Sequence, residues 1–289
     1  ACGALDRILR VVSLVTGLTL HRFEDHGTIG PNDNFFQQEG CGAVWCVLHL
    51  RGNLLASGSD DATIRLWDID LGECLAVQIG HLGWGREIGP SGRGRRLPET
   101  FAPVWRMINL GDGVRFASCS YDRTICIWDA SEPGQLRVLR NWRAADSAVL
   151  SLGLVGERHI ASCGADKEVK IWDFETGECM HRIPTRGIAN AAAFLDKGVI
   201  AIAGGDACIR IYDWQTGSDR MGDFGFYAHD FSINWMARIF PEDEEESSWT
   251  ETPIMYQTAP RQMGERDARA ANKVMKRALD EALNFEPWV

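Results

Sequence analysis

An aspartate stands six residues ahead of an apolar or aromatic position five times along the chain: Asp6, Asp61, Asp122, Asp166 and Asp206 precede Val12, Trp67, Trp128, Trp172 and Tyr212. The segments that carry them read ACGALDRILRVVS, LLASGSDDATIRLWD, ASCSYDRTICIWD, ASCGADKEVKIWD and AIAGGDACIRIYD. One offset kept in every copy restricts the chain to a repeat architecture, in which each unit buries its apolar faces only against its neighbours. A glycine follows the aromatic position by five residues in four copies (Gly17, Gly72, Gly177, Gly217) and by six in the other (Gly134). That placement predicts a turn between two strands.

Upstream of each copy lies a short apolar segment with residues three apart: Val44, Val47 and Leu50; Val104, Met107 and Leu110; Ile188, Ala191 and Phe194; less regularly, Val149 and Leu152. Its length and β-branched flavour predict a buried strand, so each unit holds four short strands separated by Gly, Asp and Ser turns. The aromatic positions are 55, 61, 44 and 40 residues apart. The two shorter spacings match the roughly 40 to 45 residues of a propeller blade.

These residues resemble WD repeats, the β-propeller family with a Gly-His signal ahead of a blade and Trp-Asp at its third strand. The resemblance covers residues 1 to about 240. It implies an all-β fold: a propeller with about four complete four-stranded blades plus a split or partial blade, over residues 1–259, followed by a C-terminal α-helix and tail at 260–289. It also implies a structural hydrogen-bond tetrad of turn Asp, Gly-His histidine, second-strand Ser and third-strand Trp. Carried over residue by residue, the tetrad residues are Ser57, Asp61 and Trp67; Ser118, Asp122 and Trp128; Ser162, Asp166 and Trp172; and Asp206. Gly80-His81 is the preserved Gly-His pair and His26 a weakened one, whereas the copies after Trp128 and Trp172 lack the histidine. Cys2 and Ile202 replace the serine in the first and last copies.

Ser57, Asp61 and His81 also have the residue types of a hydrolase triad. A triad serves one site per domain, while these residues recur with the repeat, so they are expected to be structural. Buried carboxylates are costly unless their oxygens are paired, which predicts backbone, His and Ser donors around each turn aspartate. No G-x-S-x-G, Walker loop or H-E-x-x-H occurs, and no catalytic residue is expected.

Composition excludes further classes. The nine cysteines are scattered, without a C-x-x-C pair or Cys/His cluster, so no metal site and no cofactor is expected, and a reducing cytoplasm or nucleus fits best. A formal charge of −10 disfavours general nucleic-acid binding. No run of 18 apolar residues predicts a membrane span, and no secretory leader is visible.

The chain starts within a repeat, whose first two strands are expected to be missing, and without Met, which favours a fragment of a larger ring. The other possibility is a five-bladed ring closed by strands at Ile233 to Phe240 and Pro253 to Ala259.

A propeller hosts many activities, so function must come from departures from the repeat. Two long loops, Gly27 to Gly40 and Leu82 to Pro103, are expected on the rim that also carries the Asp turns. The second holds Arg86, Arg93, Arg95 and Arg96 with Trp84, an interface-like composition. Trp45 and Trp105 begin matching strands and Tyr121 precedes Asp122, so all three are expected to approach that rim. Arg and aromatic groups together suit a protein or an acidic or phosphorylated peptide as partner within a multiprotein complex. Residues Arg261 to Leu283 show helical spacing of Ala, Val, Met and Leu. The leading reading is a non-catalytic interaction scaffold, and the alternative is a substrate-recognition subunit of a ubiquitin ligase. The W-D-x-R pattern tied to cullin-linked adaptors is absent from every Trp-Asp or Tyr-Asp pair.

Overall fold

The computed structural model describes residues 1–24, 26, 42–83, 86–88, 94–96, 100–196, 198–205, 208–219, 226–227, 233–238 and 254–258. Every regular element among them is a β-strand. Sheet I has three strands, Cys2–Gly3, Leu9–Val12 and Thr19–Phe23. Four-stranded sheets follow. Sheet II is Val44–His49, Leu54–Ser59, Thr63–Asp68 and Glu73–Ile79; sheet III is Val104–Asn109, Arg115–Ser120, Thr124–Asp129 and Arg137–Arg143. Sheet IV is Val149–Val155, His159–Gly164, Glu168–Asp173 and Cys179–Pro184; sheet V is Ala189–Asp196, Val199–Gly204, Cys208–Asp213 and Phe226–Tyr227. Each is an antiparallel meander in chain order, the blade architecture expected from the repeat. Ile233–Arg238 pairs with Ile254–Thr258, and the first of these strands lies against sheet V.

Three expectations are corrected. The first unit does not lack both leading strands, since Cys2–Gly3 pairs with Arg10 and Leu9 in the second-strand position. The segment 82–103 is not simply a loop. Leu82–Gly83 pairs with Thr100–Phe101, and Arg86–Ile88 with Gly94–Arg96, two short antiparallel ladders. In sheet V the first strand begins at Ala189, and Ile188 stands exposed just before it. The helix expected over Arg261 to Leu283 and the insertion Gly27 to Gly40 lie outside the described residues.

The third strands are buried along almost their whole length because sheets cover both of their faces. Alternate residues therefore serve different boundaries. In sheet III, Cys126 and Trp128 face sheet II with Leu66 and Leu136, while Ile125 and Ile127 face sheet IV with Leu152 and Phe174. The same scheme puts Trp67 at the I/II boundary, Trp172 at III/IV and Tyr212 at IV/V. Each repeat aromatic thus packs on the preceding sheet, where a buried indole supplies the largest apolar area a side chain can offer.

Bulges explain why the apolar residues of the first strands run in threes. Each first strand slips register against the second between its first and third residues: Val44/Cys46, Val104/Arg106, Val149/Ser151 and Ala189/Ala191. The inserted residue, Trp45 or Trp105 in sheets II and III, returns the third residue beyond Val44 or Val104 to the same face. A second bulge splits the outer pairing of sheets I to IV beside the repeat position of Val12, Trp67, Trp128 and Trp172, as between Leu66 and Trp67. Such bulges twist an outer edge away from further pairing.

Gly80 closes the gap between sheets II and III. A Cβ there would lie 2.1 Å from the Trp128 ring edge. Gly80→Ala is expected to lower unfolding free energy by about 1–3 kcal/mol, the usual cost of overpacking a filled core, as measured by urea denaturation.

Candidate functional site

The turn between second and third strands holds the repeated aspartate. In sheet II, Asp61 Oδ1 accepts the Thr63 backbone N–H at 2.9 Å and the Thr63 hydroxyl at 2.5 Å. Its Oδ2 lies 3.0 Å from His26 Nδ1, and His26 Nε2 lies 2.6 Å from Ser57 Oγ. The same serine oxygen accepts the Trp67 indole N–H at 2.7 Å. Sheet III repeats the arrangement. Trp128 Nε1 donates to Ser118 Oγ at 2.7 Å, His81 Nε2 stands 2.7 Å from that oxygen, and His81 Nδ1 is 3.2 Å from Asp122 Oδ2. All these side chains are buried, and each is bonded to others of the network.

The geometry corrects one grouping. Ser57 and Asp61 are brought to His26, not to His81, which belongs with Ser118 and Asp122. The histidine always comes from the segment that follows the preceding sheet's outer strand, so each network crosses a sheet boundary. In sheet IV, Trp172 donates to Ser162 Oγ at 2.8 Å, and Lys170 takes the role of histidine, with Nζ 2.6 Å from Asp166 Oδ2. In sheet I, Arg10 grips Asp6 at 2.6 Å on the surface. Asp206 lies outside the described residues.

One role escaped the sequence reading. The aspartate of each Trp-Asp or Tyr-Asp pair accepts backbone N–H groups of the next turn: Asp68 from Asp70 and Leu71, Asp129 from Ser131, Asp173 from Glu175 and Thr176, Asp213 from Gln215 and Thr216. This side-chain capping of a turn is a general aspartate habit, and the following left-handed Gly72, Gly177 or Gly217 was its signal.

Electrostatics support the structural role. Burial opposes the His81 imidazolium, but Cys126 and the Asp122 carboxylate beside it push its pKa up to about 9. Burial works against the Asp122 carboxylate as well, and its bonds to His81 and Thr124 outweigh this and hold its pKa below the usual range. Burial likewise opposes the Lys170 ammonium, and Asp166 and Glu168 outweigh that and raise its pKa. Burial pushes Cys46 and Cys163 up to about 12, far from the thiolate a nucleophile needs. Among the described residues no group of His, Cys, Asp and Glu is placed to hold a metal ion.

Of the proposed partner-binding residues, the structure brings Trp45 and Trp105 together, with ring centroids 4.8 Å apart. Trp45 is 42% exposed and donates its indole N–H to Asp60, in the turn of sheet II. The Trp105 ring is half-buried, and its buried Nε1 meets no acceptor among the described residues. Tyr121 is 62% exposed, at the turn position that Asp60 holds in sheet II. Arg86, Arg95 and Arg96 lie on the paired strands of the insertion, Arg86 opposite Arg96. Trp84 and Arg93 lie outside the described residues.

The family model "WD domain, G-beta repeat" matches residues 34–68, 95–129 and 137–173. These segments end on the Trp-Asp pairs of sheets II, III and IV. These three segments are WD repeats. Among similar proteins are nuclear distribution protein PAC1 of Arthroderma otae, 31% identical over 55% of this chain and 33% of its own, and nuclear distribution protein nudF of Aspergillus flavus, 31% identical over 47% and 26%. Autophagy-related protein 16 of Arabidopsis thaliana is 22% identical over 62% of this chain and 31% of its own length. The chain therefore spans about a third or less of these relatives.

Two outcomes follow from the networks. Asp61→Asn should cost about 1–3 kcal/mol by urea unfolding, because it leaves a buried donor of His26 or Thr63 facing a second donor. The His81 pKa of about 9 lies above its ordinary 6.5, so its stabilisation is whole below about pH 6.5 and is lost as pH rises through about 9. Asp122, shifted down from 3.8, acts in the opposite sense and loses its contribution only in acid. Melting temperature should fall between pH 6.5 and 9.5 in the native chain. His81→Asn, which keeps a donor but does not titrate, should show a smaller fall.

Proposed function

We propose that the chain is a non-catalytic scaffold that docks protein partners on the end of the sheets carrying the Asp turns, with the insertion 82–103 contributing at its edge. The observation that carries this reading is the Trp45–Trp105 pair. Bulges place two indoles at the same end of adjacent sheets; Trp105 also packs against the III/IV core, but Trp45 is 42% exposed, and sheets IV and V carry Leu150 and Asn190 at this position instead of an indole. At a binding surface they would supply rigid, desolvated contact area. The catalytic-looking Ser, His and Asp side chains are consumed by the buried networks, which supports the absence of an enzymatic role. The relatives are named for nuclear distribution and for autophagy, two different processes, so they support a shared scaffold more than a shared partner. The described cysteines are all free thiols, in keeping with a reducing cytoplasmic or nuclear setting.

Pull-downs with the native chain, with Trp105→Ala and with Arg93, Arg95 and Arg96 changed together to Glu test the site, provided melting curves show both variants folded. Trp105→Ala should weaken capture by about 2 kcal/mol or more, the scale of an aromatic hot spot. Full retention of every partner by both variants would move the interface to the outer edges of the sheets.

A further inference from the structure

We propose that the boundary between sheets IV and V is a pH-sensitive link, in which His159 holds the Trp214 ring as a cation when protonated and loosens it when neutral. Sheet V then sits more firmly on sheet IV in acid. The cluster lies at the end of the sheets opposite the Asp turns, away from the surface proposed for docking.

The first observation is a pair of positions that meet at three successive boundaries. The first residue of a second strand faces the residue that follows the repeat aspartate of the next sheet. Between sheets II and III the two are Leu54 and Ala130, in one apolar cluster. Between III and IV they are Arg115 and Phe174, with the guanidinium carbon 5.9 Å from the ring centroid, a permanent cation on an aromatic face. Between IV and V they are His159 and Trp214, with ring centroids 5.6 Å apart and an interplanar angle of 41°. Indole is the ring that attracts a cation best, yet its partner here is a cation only when protonated. Arg115 is also tied to Glu175, whereas neutral Gln215 stands at that place in sheet V, so the ion pair has no counterpart at this boundary.

The second observation is that the two imidazoles around Trp214 are not locked. His181, on the outer strand of sheet IV, meets the ring edge-on at 6.1 Å and 72°. His26 and His81 have both ring nitrogens engaged in buried networks. Among the described residues no ring nitrogen of His159 or His181 has a hydrogen-bond partner, and both side chains are half-buried, within reach of solvent protons. The Trp214 indole N–H is likewise buried without an acceptor among the described residues, so no hydrogen bond of the indole fixes the ring.

Other charged and titratable groups surround the cluster without replacing the cation. Glu157 and Arg158 precede His159, and Arg158 is held by Asp173, which stands opposite His159 in the sheet. On the outer strand, Glu178 and Cys179 precede His181, the Cys179 thiol donates to the His181 carbonyl, and Arg182 lies 3.9 Å from Glu168. In sheet V, Asp213 caps its own turn and Asp219 bridges back to Tyr212. Lys197 and the side chain of Asp196 lie outside the described residues. Among the described residues no Lys or Arg lies over the Trp214 ring, which leaves the imidazoles to supply its cation.

A double-mutant cycle on the whole chain tests this, with native, His159→Gln, Trp214→Leu and doubly changed chains unfolded in urea at about pH 5.5 and about pH 8, on either side of the range where histidine changes charge. Titrations elsewhere, that of His81 among them, are common to all four chains and cancel from the coupling. The coupling should be worth about fivefold in the unfolding equilibrium at the lower pH, the scale of a partly buried cation–π contact, and should vanish at the higher. His159→Arg supplies a permanent cation, as Arg115 does one boundary earlier, and should keep the coupling at both pH values. The part of the fluorescence that Trp214→Phe removes should dim as the pH falls, because an imidazolium quenches an indole beside it. Equal coupling at the two pH values, its absence from His159→Arg at the higher pH, or a pH dependence that survives His159→Gln and disappears in His181→Gln would overturn the proposal. Should the Trp214→Leu chains fail to fold, the fluorescence change decides in their place: its loss in His159→Gln supports the link, and its persistence there overturns it.

Discussion

A carboxylate buried at the boundary between sheets I and II, and another between II and III, must find donors, and much of the structure is arranged around meeting that demand. Asp61 and Asp122 are almost fully buried, where an unpaired charge would cost several kcal/mol. Each is held by a threonine of its own turn and by a histidine delivered from the preceding unit. The histidine in turn fixes a serine, and the serine fixes the indole that fills the boundary core. Register, turn and inter-sheet packing are therefore specified together. A slip of one residue would turn the aspartate, serine and tryptophan away from each other at once.

Repetition of that device leaves function to the positions the repeat does not use. The bulge at the second residue of each first strand is common to sheets II to V, yet only sheets II and III fill it with tryptophan. Bulges displace a side chain from the regular alternation and frequently mark binding surfaces. Trp45 and Trp105 thereby reach each other and the turn end, while Val44 and Val104 remain in the cores. Scaffold and surface are built from adjacent residues of one strand.

The fold was legible because its signals are local and repeated. The Asp-to-aromatic offset, the trailing glycines and the strand lengths are read along a single unit. What escaped the sequence depended on partners between units. Histidine was visible at position 81, but its allegiance to Asp122 instead of Asp61 arises from the meander, which delivers the end of one sheet to the turn of the next. Lys170 carries no signal in the repeat pattern, yet in the sheet without the histidine its ammonium pairs with Asp166. The spacing of three in the first strands was seen without its cause, since a bulge is a property of two paired strands. Segment 82–103 looked like a loop because its Gly and Arg content masks a ladder formed by backbone alone.

The boundaries between sheets are not tied alike, and this bears on where a partner can dock. Between sheets II and III the His81 network, the contact of Gly80 with Trp128 and the Cys126 thiol bonded to the Gly80 carbonyl all lie within one buried patch. Between III and IV no histidine takes part. The link there relies on the Trp172 and Phe174 core and on Arg115, which reaches Glu175 at 2.6 Å near the surface and lies over the Phe174 ring. Exposed ion pairs of that kind contribute little and weaken with salt. Trp45 and Trp105 meet between sheets II and III, a boundary held, like that between I and II, by a buried histidine network. A pair of indoles fixed on that support loses little further freedom when a partner arrives, so more of its contact area is available as affinity.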